Sequence, residues 1–429
     1  MSATDASAAS VHSRTTVALL EYFTSSTGTI VFAVLPDRHE PLVFEARHRG
    51  EPLTAQALAR RADRLIVDFH GLPPGWDGED TAARYRSALE LPPAVTPLKR
   101  TQPILQRNLK KATFAYETTW WEELSDALLP AGLRNCLVDY DLLCVVAHGP
   151  LHSLPLAALR WSDDEYLIER FGLCFAPSAT VLRYCRAKNR VRAMPTHEPQ
   201  TCLIAAVAAE EDEAPEDFEA DGERLARLFS ARSAARVTQL LGVAATNGRR
   251  PASKDNVRLE IGAHDIVHLA CHGVFDLEGP AVAPLDDAGL LVSDGARAPS
   301  LRGLADLAVE DRAPLFLSAR EVLSLRLDAD LITLRACSSG RAEVAAGDEL
   351  LGLTRAFLYA GTPSLIVSLW NVNKRSSQRL LNDFYDHWLG GEDVPKWRAL
   401  QLAQQGLLQE PEYAHPYHWA PFVLVGDWL

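Results

Sequence analysis

The chain has 429 residues, enough for one large or two average domains, with 43 basic against 56 acidic side chains and a net charge of −13. That balance, without a basic block, leaves specific nucleic-acid binding without electrostatic support and suits a soluble, self-repelling protein. There is no apolar run of the ~18 residues a membrane span needs, and the seven cysteines form neither a paired framework nor a Cys-x-x-Cys zinc pattern, which points to reduced thiols in a cytosol.

Residues 1–14 are small and polar, lack the apolar core of a signal peptide and are expected to be disordered. Thr16–Glu21 and Thr29–Leu35 read as strands on either side of the turn-rich Ser25-Ser-Thr-Gly28, and Pro41–Ala46 as a third. Leu53–Phe69 carries a helical apolar stripe through Leu58, Ala59, Ala62, Leu65 and Ile66; Gly71–Asp80 is a Pro/Gly-rich loop, and Thr113–Leu129 a further helix. An α/β alternation begins near Cys136. Asp141–Ala147 reads as a buried strand, and Ser178 as the cap of a helix running to about Asn189, whose basic end suits the negative pole of the dipole. Strand Cys202–Val207, the acidic stretch Glu210–Glu219, expected as a solvated loop, helix Asp221–Ser230, strand Val237–Leu241 and helix Ser253–Ile261 follow.

The next strand ends at His272. Residues 275–315 are turn-rich, with a hairpin expected around Ser293-Asp-Gly295, and the short helix Leu317–Leu325 leads into a strand that ends at Cys337. Helix Leu350–Ala360 is opened by Gly347-Asp-Glu349; strand Ser364–Trp370, helices Ser376–Leu389 and Pro395–Leu408, and strand Pro421–Val425, which closes the sheet, complete the chain. Alternating strands and helices predict an α/β fold, a mostly parallel sheet covered on both faces. No repeat of 20–50 residues is present, which argues against a solenoid.

Two of these segments carry chemistry. Asp265-Ile-Val-His-Leu-Ala-Cys-His272-Gly273 and Leu331-Ile-Thr-Leu-Arg-Ala-Cys337-Ser-Ser-Gly340 are apolar runs of strand length, each ending in one reactive side chain followed by small residues. Parallel strands buried on both faces read as continuous apolar runs, and ligands of open α/β sheets bind beyond their carboxyl ends. If the strands are neighbours, His272 and Cys337 emerge together, the minimum set for nucleophilic attack on an acyl carbon. Taken singly, Cys337 also fits a packed thiol and His272 a capping imidazole. Gly273 has no side chain to block a ligand, so its N–H and that of Cys337 are candidates for an oxyanion hole. Cys271 alternates to the opposite face. His148-Gly149 also follows an apolar strand but has no matching cysteine. His415 and His418 stand close before Trp419, without a spaced third metal ligand. Trp370 reads either as pocket lining or as core. Asp348 and Glu349 start a helix, where acids suit the positive dipole end, or bind a basic substrate side chain. No orienting third residue for His272 is identified, although Asp276 is close in sequence.

At these residues the chain resembles the CHAT family of caspase-like cysteine peptidases, caspase/separase-type enzymes of clan CD named for their association with TPR repeats. Ile266-Val-His-Leu-Ala-Cys-His-Gly-Val-Phe-Asp276 is similar to the family's histidine block and Leu334-Arg-Ala-Cys-Ser-Ser-Gly340 to its cysteine block. Gly347–Gly361, Ser368-Leu-Trp-Asn-Val372, Phe384-Tyr385 and His415–Asp427 resemble its later helices and strands, and Gly149–Leu159 with Ala176-Pro-Ser178 its non-catalytic first half. The resemblance implies a caspase-like mostly parallel sheet flanked by helices, a pseudo-caspase half over 15–200 and a catalytic half over 201–429. It implies a His272–Cys337 dyad, oxyanion amides at Gly273 and Cys337, and no cofactor or metal. It further implies a protein substrate, a partner or sensor protein that switches the enzyme on, no nucleic-acid or membrane partner, and a role in bacterial defence or regulated cell death. The alternative is an idle caspase-like adaptor that binds protein partners. Asn373 stands where the family block has Asp, which puts a basic substrate preference in doubt, and Arg297–Leu315 is a longer connection than usual, read as an activation loop or an ordinary insertion.

Overall fold

The computed structural model describes residues 15–60, 122–192, 201–210, 212, 216–232, 235–243, 250–274, 288–300, 304, 307–338, 348–370, 373–390 and 394–429. The readings of 1–14, of Gly71–Asp80, of 61–69 in Leu53–Phe69, of 113–121 in Thr113–Leu129, and of Asp276 lie outside these residues.

The first strands are β1 Val17–Thr24, β2 Thr29–Val34, β3 Leu42–His48, β4 Glu51–Pro52, β5 Leu142–Val146, β6 Arg160–Ser162, β7 Glu165–Tyr166 and β8 Gly172–Phe175. Helix α1, Ala179–Arg192, follows, with the Ser178 hydroxyl accepting from the Val181 N–H. Then come β9 Thr201–Ala206, α2 Glu216–Arg232, β10 Arg236–Leu241, β11 Ile266–Val274, β12 Gly289–Leu291, β13 Phe316–Ser318 and β14 Leu331–Ser338. The chain ends with α3 Asp348–Ala360, β15 Ser364–Ser368, α4 Lys374–Leu389, α5 Lys396–Gln409 and β16 Phe422–Gly426. Among the described residues one sheet runs β10-β9-β11-β14-β15-β16-β8-β5-β1-β2-β3-β4. Its centre is parallel except where β16 lies antiparallel to β15, and β6 pairs with β7 apart from it.

Two expectations change. The final strand does not close the sheet: β16 sits in its middle, between β15 and β8. Its apolar run, buried along its whole length, is what a strand with neighbours on both edges and cover on both faces requires. The hairpin around Ser293-Asp-Gly295 is also replaced. β12 pairs with β11 and with β13, while Asp294 instead accepts from the Ala296 and Arg297 N–H groups in a turn.

Strand alternation places Val267, Leu269 and Cys271 on one face of β11, in a core with Leu353, Ala356 and Phe357 of α3. The other face takes Ile266, His268, Ala270 and His272 and meets α2 and α4. The two halves start alike. Thr16 N–H and hydroxyl donate to Asp141 before β5, and Thr201 N–H and hydroxyl donate to Asp265 before β11. Seven residues after each of these aspartates stands a histidine, His148 or His272.

Candidate active site

β11 and β14 are parallel neighbours, and His272 and Cys337 are Cα partners in their ladder. Residues opposite one another in a ladder share a face, so both positions lie at the carboxyl end of the sheet on the side covered by α2 and α4. The reason is local. Each strand is a nearly unbroken apolar run that buries both faces, and the reactive residue comes where that run gives out. Cys271 is buried on the opposite face, as alternation dictates. Gly273 remains within β11, paired with Leu290 of β12 and with Ser338 of β14.

His272 is held from behind. Its Nε2 lies 2.9 Å from an Asp212 carboxylate oxygen, in a pair only partly open to solvent. The same oxygen accepts from the Ala209 N–H at 2.7 Å, and the Asp212 N–H donates back to the Ala209 carbonyl, closing a tight turn beyond β9. Burial pushes the Asp212 carboxyl up, but the hydrogen bond and charge of His272, the Ala209 N–H and the field of Lys374 outweigh it and hold the group below the usual carboxylate range. An ionised carboxylate only accepts, so the neutral imidazole carries its proton on Nε2 and leaves Nδ1 as the basic nitrogen. Phe218, at the start of α2, packs on the imidazole with ring centroids 5.7 Å apart.

This contact revises the reading of Glu210–Glu219 as a solvated loop: α2 begins at Glu216, and Asp212 bonds His272. Sequence inspection missed Asp212 because sixty residues separate it from its partner. The only signal was an acid placed shortly after a strand that could neighbour β11.

Beneath the site lies a buried polar layer. Arg335, on the same face of β14 as Cys337, forms an ion pair with Asp221 of α2. Its Nε donates to the Ser377 hydroxyl at 3.2 Å and its Nη2 to the Lys374 carbonyl at 3.3 Å, both on α4. Gln378 adds a bond to the second Asp221 oxygen at 2.6 Å. Deeper still, the Tyr385 hydroxyl donates to Thr333 at 2.7 Å and lies 3.2 Å from His268 Nδ1. Burial, reinforced by the Arg335 charge, lowers the His268 pKa to about 3, so this imidazole stays neutral.

The remaining expected residues are placed as follows. Trp370 is buried in the core with its indole N–H toward the Tyr417 carbonyl. Asn373 is the N-cap of α4, accepting from the Arg375 and Ser376 N–H groups at 3.0 and 3.1 Å. Asp348 and Glu349 are the first residues of α3. In the first half, the His148 ring is occupied structurally. Its Nδ1 accepts from the Thr24 N–H at 3.2 Å and lies 3.0 Å from the Thr24 hydroxyl, and the ring stacks on Phe23.

A family model described as the CHAT domain matches residues 119–427. Tetratricopeptide repeat protein 28 from Homo sapiens is 30% identical over 302 residues, covering 66% of this chain and 12% of its own, and the Mus musculus protein matches to the same extent. The chain thus spans only a small part of the curated relatives it matches. The Saccharomyces cerevisiae separase–securin complex contains a chain that superposes with a TM-score of 0.51 at 10% identity, over 96% of this chain and 30% of that one. At that identity the likeness concerns the fold alone, a caspase-like sheet flanked by helices.

Proposed function

We propose, from the premise that this chain belongs to the CHAT domain family, that it is a cysteine endopeptidase acting through His272 and Cys337. The observation that carries the reading is the register of β11 on β14, which pairs the two positions at the carboxyl end of the sheet. Asp212 behind His272 adds to it.

In this mechanism the Cys337 thiol gives its proton to His272 Nδ1, and the sulfur attacks the scissile carbonyl carbon. The carbonyl electron pair moves to oxygen, where the Gly273 and Cys337 amides receive the charge. Collapse breaks the C–N bond, the leaving amine takes the proton from His272, and a thioester remains. Water then gives a proton to Nδ1, attacks the thioester and releases the acid, restoring the thiol. Asp212 holds the tautomer in which Nδ1 is the basic nitrogen and stabilises the transient imidazolium. A partner-activated role in bacterial defence or regulated cell death, and a cytoplasmic setting, are our reading of the family resemblance. No helix among the described residues is long and apolar enough to cross a membrane.

The repeat-protein name of the curated relatives favours a second reading, a caspase-like adaptor whose dyad is idle. The two separate in one experiment, cleavage of a diverse peptide library read by mass spectrometry with wild type beside Cys337→Ala. Products that vanish in the variant establish the peptidase. No products from either protein, together with no Cys337-dependent labelling by a thiol probe, favour the adaptor.

A further inference from the structure

Phe218, in the first turn of α2, touches both strands of the site. It is buried, with its ring centroid 5.7 Å from that of the His272 imidazole on β11 and 5.6 Å from the guanidinium carbon of Arg335 on β14. Arg335 shares its face of β14 with the Cys337 position two residues on. One phenyl group therefore bridges the histidine strand and the cysteine strand. The ring is also firmly mounted. Asp221, one helical turn beyond Phe218 and so on the same side of α2, is fixed by the Arg335 ion pair and by Gln378 at 2.6 Å. The adjoining Gly222 lets the helix sit close on the sheet, where a Cβ would come 3.4 Å from Ala206 Cβ and Ile204 Cγ2.

We infer that Phe218 is a positioning residue of the proposed dyad, fixing the plane of the imidazole on which transfer of the Cys337 proton to Nδ1 depends. The inference rests on the peptidase reading above. Asp212 engages the imidazole at Nε2, and one hydrogen bond fixes a point of the ring but not its plane. A flat, buried group packed against the ring removes the remaining freedom. Proton transfer and attack need reacting atoms held in alignment, and a misplacement of about 1 Å costs about 100-fold in rate. The charged groups around His272 are Asp212 in the turn beyond β9, the Arg335–Asp221 pair beneath, and Lys374 on α4. Replacing a phenyl ring alters none of these charges, so a change in how the site titrates reports geometry.

The test compares wild type with Phe218→Leu, Phe218→Ala, His272→Ala and Cys337→Ala in two readouts. The first is the pH dependence of alkylation by iodoacetamide, counting only the labelling that Cys337→Ala abolishes. The thiolate is the species alkylated, so a thiol paired with an imidazole reacts at lower pH than an isolated one, whose ordinary pKa is about 8.5. His272→Ala is expected to move the profile up toward that value. Phe218→Ala moves it the same way, and Phe218→Leu, which refills the volume without a flat face, moves it part of the way. The second readout is peptide cleavage, where Phe218→Ala lowers kcat about 10–100-fold and leaves KM within about twofold. Circular dichroism checks that each variant folds, and Phe218→Leu carries the test if the alanine variant does not. A profile moved by His272→Ala but by neither Phe218 substitution, or a loss that appears in KM alone, overturns this inference and leaves the peptidase standing. A profile that His272→Ala leaves in place, with no cleavage by wild type, removes the peptidase reading and this one with it.

Discussion

Arg335 and Asp221 make a pair whose removal has a calculable consequence. Their side chains are 4% and 3% exposed, so neither charge is solvated by water once its partner is gone. Among the described residues, Asp221→Ala leaves the guanidinium the Ser377 hydroxyl and the Lys374 carbonyl as hydrogen-bond partners, with no counter-charge in the pair. Stranding one member of a buried pair costs about 3–5 kcal/mol, and that is the expected loss for Asp221→Ala and, by the converse argument, for Arg335→Met. Replacing both, as Asp221→Leu with Arg335→Met, removes the desolvation penalty along with the attraction and is expected to restore most of the loss. The assay is urea unfolding followed by tryptophan fluorescence, with the four proteins compared as a double-mutant cycle. Single substitutions costing under about 1 kcal/mol, or a double variant whose loss equals the sum of the singles, would refute the claim that this layer is a coupled, desolvated pair.

On the proposed peptidase reading, Asp212→Asn lowers kcat about 100-fold with little change in KM, because the amide can support the wrong tautomer of His272; Michaelis kinetics on a cleaved peptide checks this. The same pair has a pH signature. The Asp212 carboxyl lies below its ordinary value of 3.8 in the folded chain, so its contribution to stability is complete above that value and disappears as pH falls through the depressed one. The unfolding midpoints of wild type and Asp212→Asn should converge only in that acid window, and convergence already near neutrality would count against the pair. Gly172 opens β8 where a Cβ would run into the Trp397 indole of α5. Gly172→Ala should therefore lower stability by about 1–3 kcal/mol, measured by the same urea titration.

The elements that carry His272 and Cys337 were readable residue by residue. A parallel strand buried on both faces must be apolar throughout, so the runs before His272 and Cys337 declare themselves, as do the Ser178 and Ser253 caps, whose hydroxyls accept from N–H groups within three residues. The alternation of strands and helices likewise implies a covered, mostly parallel sheet. Neighbourhood is a different kind of information. That β16 lies in the middle of the sheet, and that β12 pairs with a strand formed by Phe316–Ser318 rather than with a local hairpin arm, depends on which apolar edges meet after the chain collapses. Asn373 and Trp370 belong here too. An Asn before a helix can cap it or face a ligand, and a Trp at a strand end can line a pocket or fill the core, until the packing decides. Asp212 is the sharpest case: an acidic stretch looks solvated along the chain, and only the side-by-side placement of β9 and β11 brings one carboxylate to His272. Local periodicity sets what each segment becomes, because it acts within a few residues. The pairing of charges and strands across tens of residues is set by burial, which exists only once the whole sheet has formed.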